Sequence, residues 1–365
     1  MLPGLTTLIA TMRFEHPWLE DEFVEESRRI GRSEQGKKHH HVPQMYLRRW
    51  AVDGKVQPTQ VDSQQAHRPQ PPKEVAYQNN FYSLPEVDGT MDLPLKWIET
   101  HLARIESECA CHLDALTAWG AGVVSDVALK RDLSVFLGLQ ITRTVGNRQR
   151  AIPLVEGPDS AKRLFLRKAN PQWSPAQIEE SMNRRQDHPK HEALDLMIKD
   201  VRNVVADALY QREWAVYRTA SPLVASDDPV VFLAGPPLPR SAFVGAMGSA
   251  VVLYPVGPHC LLVMLRPGLR HRGPYRLDAA ETLSINTEIV AAATKTAFER
   301  PGDDIAVNIA VPPRPVVTEL DDEQARNLGD SEALQHLLQS ATPRTRWTAD
   351  AKAAPDWPVS RWYAG

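Results

Sequence analysis

A change of hydrophobic period at Trp214 constrains the fold more than any other feature of this chain. Upstream of it, Leu95, Ile98, Leu102, Ile105, Cys109, either His112 or Leu113, and Leu116 recur at helical spacing across residues 95–119. Gly120 and Gly122 end that run. Residues 127–148 repeat the pattern, with Leu133, Phe136, Leu137, Gln140, Ile141 and Thr144 near one face. The short connection predicts an antiparallel helix pair. A third helix is expected over 192–212, with short polar helices at 160–168 and 174–185. Downstream, short apolar runs at 214–220, 223–225, 230–233, 250–254 and 260–265 read as strands. A helix at 279–298 and a strand at 305–311 follow. Two earlier strands are expected at 56–61 and 80–84. Helices and strands are thus segregated along the chain, which argues for α+β: a helical middle segment packed against a mostly antiparallel sheet.

This order sets the domain reading. Residues 1–33 form an N-terminal helical extension, with a helix over 18–32 that is acidic first and basic last, as the helix dipole favours. Residues 34–311 form one α+β domain, helical over about 92–212 and sheet over about 214–311. Residues 312–365 form a Pro-rich arm with a helix at 322–339 and three tryptophans that point to partial docking.

Composition narrows the function classes. A hydrophobic share of 42% and a charged share of 24% are ordinary for a globular protein. The net charge of −3 gives no global field for nucleic acid, so such binding would need a local basic face. Arg143, Arg148, Arg150, Lys162, Arg163, Arg167 and Lys168, with Arg28, Arg29, Arg32, Lys37 and Lys38, are the candidates for it; a solvated basic surface is the simpler account. Three cysteines are no disulfide framework and fit a reducing compartment. With no apolar run of membrane-spanning length, the expected location is cytoplasmic. No Gly-rich strand-to-helix loop is present to cradle a nucleotide phosphate.

The candidate site residues come from separate segments. His39-His40-His41 precedes Val42-Pro43. In an extended strand His39 and His41 point one way and His40 the other. Histidine serves as general base or metal ligand near neutral pH; incidental histidines in a solvated loop are the plainer alternative. Gln140 lies on an apolar helix stripe, where a polar group must find a partner. Arg143 is three residues on, and its guanidinium suits either an anion or a structural carboxylate. Asp227, in Ser226-Asp227-Asp228-Pro229, sits between two strands as a turn cap, a metal ligand or a histidine's orienting partner. Glu106 flanks the helix stripe. Cys109 and Cys111 would point about 200° apart on a helix and so cannot share a metal.

In order, His39-His40-x-x-Pro43-x-x-Tyr46-Leu47, Asn80-Phe81-Tyr82, Ile105-Glu106, Gln140-x-x-Arg143-Thr144 with Arg148, Ser226-Asp227-x-Pro229-Val230, Pro255-x-x-Pro258 and Asn286 resemble the pattern of the bacterial domain-of-unknown-function family numbered 4238. Met45 and His41 depart from that pattern. The resemblance implies that His39, His40, Glu106, Gln140, Arg143, Asp227 and Asn286 belong together, with His41 a spacer. The resulting expectation is a hydrolase acting on phosphodiesters, a nuclease of toxin or defence type. His39, His40, Gln140, Arg143 and Asp227 are its catalytic set, and His40, Glu106 and Asp227 hold Mg²⁺ or Mn²⁺. The alternative is a non-catalytic protein that binds a small ligand or a partner and whose polar cluster is structural.

Overall fold

The computed structural model describes residues 14–32, 38–82 and 97–149, positions 163, 166–167, 170 and 172–183, and then 197–198, 200–242, 244–314, 345–347 and 358–363. Helix α1 (Asp21–Gly31) leads into β1 (Lys38–His40) and the short α2 (Gln44–Leu47). Strands β2 (Gln57–Gln60), β3 (Gln65–Ala66) and β4 (Tyr77–Asn79) follow. The helical middle contains α3 (Trp97–Ala118), a two-residue strand β5 (Gly122–Val123), α4 (Val127–Thr142), α5 (Pro175–Asn183) and α6 (Ala206–Tyr210). The remainder is β6 (Glu213–Thr219), β7 (Ala225–Ser226), β8 (Val231–Leu233), β9 (Val251–Gly257), β10 (Cys260–Leu265), β11 (Arg276–Leu277), α7 (Ala279–Ala292) and β12 (Thr296–Glu299).

The main sheet has the order β11-β6-β10-β9-β8, with β5 added to β6. It is antiparallel except where β11 runs parallel to β6. Its central strands are apolar on both faces, and the alternation of a strand divides them cleanly. Trp214, Val216, Val252, Tyr254, Leu262 and Met264 join α3 and α4 in one core. Ala215, Tyr217, Leu253, Leu261 and Val263 join α7 residues Ile285 and Ile289 in a second core. This explains why β9 and β10 read as continuous apolar runs: both faces are covered. Phe14, Trp18 and Leu19 belong to the first core and Val359 and Trp362 to the second, so flanking segments pack on the domain.

A second sheet, β3-β2-β12-β7, joins the two ends of the domain, with Thr59 opposite Ala297 and Ser226 also opposite Ala297. A two-stranded ribbon pairs β1 with β4, His39 opposite Gln78. Four expectations are corrected here. The helix expected over 279–298 ends at Ala292, and β12 occupies Thr296–Glu299. The strand expected at 305–311 contains the 3-10 turn Ala306–Asn308. The strand expected at 80–84 lies upstream as β4, because Asn80 takes a positive φ that ends it. The helix expected over 127–148 breaks after Thr142 and resumes at 145–149. The expected helices at 160–168 and 322–339 lie wholly or largely outside the described residues.

Candidate functional site

The His run enters β1 and leaves it within three residues, so its members have different fates. His39 is buried; its Nδ1 accepts the Tyr82 backbone N–H at 2.9 Å, and its ring stacks on Tyr82 with centroids 5.8 Å apart. His40 places Nε2 3.3 Å from the Lys73 carbonyl and Nδ1 3.4 Å from the Gln44 amide. Burial, reinforced by the nearby Arg143 charge, lowers its pKa. His41 follows the strand, donates its backbone N–H to the Ala76 carbonyl at 3.0 Å and packs its ring against Phe81.

Arg143 is the hub of the motif residues. It stands at the break after α4, and its guanidinium is held on three sides. Nη1 pairs with Glu106, Nη2 donates to the His40 carbonyl at 2.5 Å and Nε donates to the Tyr82 hydroxyl at 3.3 Å. The same hydroxyl donates back to the Arg143 carbonyl at 3.0 Å, taking up a backbone group that the interrupted helix leaves open. Burial disfavours the charge, but Glu106, Tyr82 and Glu99 outweigh that cost and raise the arginine pKa. Only a planar fork satisfies three such acceptors at once, so a lysine does not replace it. Gln140, one turn earlier, is fully buried, and neither of its amide atoms has a hydrogen-bond partner among the described residues.

Asp227 is a backbone clamp. Its Oδ1 accepts the Thr294 N–H at 2.7 Å, and its Oδ2 accepts those of Lys295 and Thr296 at 2.8 and 3.1 Å. Burial, the leading cause, raises its pKa to about 6 against those stabilising amides. Asp228 receives the Thr144 hydroxyl at 3.4 Å. Asn286 also braces backbone, accepting from Val224 N–H at 3.0 Å and donating to the Pro222 carbonyl at 2.9 Å. His40, Glu106 and Asp227 are therefore not gathered as ligands: among the described residues no three His, Cys, Asp or Glu side chains are grouped to hold a metal ion.

An open cleft of about 320 Å³ lies beside this frame. His41, Asp227 and Val145 contribute to its lining from the frame side, Gln60 and His67 from β2 and the segment after β3, and Lys295 and Thr296 from the turn into β12. His41 is 7% exposed, and its Nδ1 has no partner among the described residues. Burial first, and then the charges of Arg143, His40 and Lys295, push its pKa down to about 3, so the ring is neutral at physiological pH. The histidine expected to be a spacer is thus the one that lines the cleft. Lys295 was not among the sequence candidates, because the helical pattern ran through it. The usable signal for His41 was strand alternation, which put His41 opposite in direction to His40.

A larger concavity of about 1230 Å³ is lined by Glu15, Glu20, Glu22, Glu25, Phe23 and Arg104 among others and contains none of the motif residues. Several residues of the expected basic face are engaged within the chain. Arg28, Arg29 and Arg163 pair with Glu25, Glu26 and Glu179, and Arg148 donates to the Phe81 carbonyl. Lys37, Arg150, Lys162 and Lys168 lie outside the described residues. Among the described residues no helix is long and apolar enough to cross a membrane.

A protein family described only as of unknown function, DUF4238, matches residues 38–303. No curated protein and no solved structure matches the chain.

Proposed function

The chain belongs to the DUF4238 family, and we propose that it binds a small oxyanion, a phosphate or carboxylate group on a compact metabolite, in the His41 cleft. The motif residues then serve as the frame of that cleft. One observation carries this reading: His41, buried and with a ring nitrogen that has no partner among the described residues, lines an open cleft together with Lys295. Of the frame residues, Arg143, Asp227 and Asn286 have their polar atoms engaged with backbone and with other side chains. A neutral imidazole donates a hydrogen bond and the ammonium of Lys295 supplies charge, a pairing suited to an oxyanion. A volume near 320 Å³ fits a mononucleotide or something smaller.

The test is titration with inorganic phosphate and with a mononucleotide, followed by His41 ring nitrogen shifts and the thermal midpoint. Saturable His41 shifts in the native chain that are lost in Lys295→Gln, and a ligand-raised thermal midpoint that is lost in both His41→Ala and Lys295→Gln, are the expected result. Absence of any saturable response up to millimolar ligand overturns the reading.

A phosphodiester hydrolase, the nuclease reading, is the second possibility, favoured by an imidazole and an ammonium lining one cleft. It asks more of the residues. A histidine held near pKa 3 is a weak base at neutral pH. Glu106 and Asp227 would also have to leave Arg143 and the Thr294–Thr296 amides to hold Mg²⁺ or Mn²⁺. DNA and RNA turnover with either ion, compared among native, His40→Ala and His41→Ala chains, decides it: turnover that vanishes in His41→Ala favours cleavage, and equal negligible turnover in all three discards it.

A further inference from the structure

The turn that carries Lys295 is fastened from two sides. On the inner side Asp227 takes the N–H groups of Thr294, Lys295 and Thr296. On the outer side two arginines from beyond the family-matched span take the carbonyls at the end of α7. Arg314 donates to the Ala293 carbonyl at 2.7 Å. Arg346 donates its backbone N–H to Ala291 at 3.0 Å and its Nη2 to the Thr294 carbonyl at 3.1 Å. A helix C-terminus leaves carbonyls open and carries partial negative charge, so guanidinium groups are stabilising there.

Arg346 does more than cap. It is wholly buried, and its Nη1 pairs with Asp62, which lies in the turn between β2 and β3. That turn separates Gln60 from His67, both of which line the cleft, and Gln60 pairs with Thr296 across β2 and β12. The neighbouring Val61 N–H reaches across to the Lys295 carbonyl at 2.9 Å. One guanidinium therefore grips both the turn that carries Lys295 and the turn between Gln60 and His67. Its own anchor is firm: the adjacent Trp347 indole donates to Glu288 at 3.0 Å, and the Arg240 guanidinium lies 3.7 Å from the Trp347 ring centroid.

We propose that Arg346 is a positioning residue for the His41 cleft, holding the Lys295 turn against the turn between β2 and β3 and so making a residue beyond the family-matched region part of the site. The proposal rests on the cleft being the binding site, but its first test needs no ligand. Amide hydrogen exchange is measured on the full chain for native protein, Arg346→Ala, Arg346→Lys and Asp62→Asn. Phosphate binding is then followed through the His41 ring shifts. In Arg346→Ala, exchange at Thr294, Lys295 and Thr296 is expected to rise by about tenfold or more while β9 and β10 keep native protection. Phosphate affinity should fall, and Arg346→Lys should recover part of both effects.

Native exchange at the turn in Arg346→Ala overturns the proposal. So does a uniform rise through β9, β10 and the turn together, which marks a merely structural residue. Should Arg346→Ala not fold, Asp62→Asn carries the same comparison, since Asp62 is half exposed and its loss leaves the carbonyl contacts in place. Loosened turn amides together with no phosphate response even in the native chain support the positioning role and sink the oxyanion reading alone.

Discussion

Arg143 decides what the motif residues are for. Its partners are a carboxylate, a carbonyl and a phenol, all fixed by other elements, and the group is 2% exposed. Removing one member of such a buried pair leaves the other uncompensated, at about 3–5 kcal/mol. Arg143→Ala is therefore expected to lose most of the chain's stability, measured as the denaturant midpoint. Arg143→Lys should recover only part of it, because a lysine cannot serve all three acceptors. A near-native midpoint in Arg143→Ala would return the residue to the functional set. At this scale the sequence was informative about membership and silent about role. Of the residues that the motifs name, His40, Glu106 and Arg143 meet, whereas Asp227 binds the turn before β12 and Asn286 the backbone of Pro222 and Val224. A carboxylate that binds amides and one that binds a metal look alike in a sequence, and only the placement of the backbone separates them.

Among the elements, the helices and the central strands were readable because their periods are local. The end of α7 was not. Its sequence Ile289-Val290-Ala291-Ala292-Ala293-Thr294-Lys295-Thr296-Ala297-Phe298 satisfies a helical stripe throughout, yet Thr296–Glu299 pairs with β2 on one side and β7 on the other. Those partners are non-local, and tertiary pairing overrides a weak propensity. The break after Thr142 has the same character, since Tyr82, three residues beyond β4, supplies the hydrogen bond that lets the helix stop. Close helix packing gives a prediction of its own. A Cβ placed on Gly31 would lie 2.7 Å from the Trp97 Cα, a backbone atom that cannot swing away. In an open helix Gly→Ala stabilises by about 1 kcal/mol. Here Gly31→Ala is expected to destabilise, lowering the thermal midpoint and exposing α1 to limited proteolysis; a raised midpoint would refute this contact.

For the whole molecule, buried histidines set the response to acid. Burial is the leading cause in each of His16, His40, His41, His101 and His271, and every one is lowered, His41 to about 3 and His101 to about 4. Below the ordinary value of 6.5 the unfolded chain takes up these protons while the native chain refuses them. Stability present at neutral pH is thus lost as pH falls from about 6.5 toward 4. Asp227, raised to about 6, works in the opposite sense between there and its ordinary value of 3.8, because the native state binds its proton more tightly. Asp200 and Glu299, also raised by burial, act in the same sense as Asp227, and the five lowered histidines together, His41 foremost, fix the direction. Denaturant midpoints at pH 7.5, 6 and 5 should fall in that order, and the decline should shrink in His41→Gln. A midpoint that rises on acidification would mean that Asp227 dominates.

The sheet that unites β2 with β12 also sets when the cleft comes into being. Thr59 meets Glu299 across 240 residues of chain, and contacts of such long range form late. During synthesis the wall bearing Gln60 and His67 leaves the ribosome long before the one bearing Lys295, and Arg346 follows later still. A nascent chain can fold its α3–α4 pair well before it owns a cleft, which is complete only once Lys295 and then Arg346 have emerged.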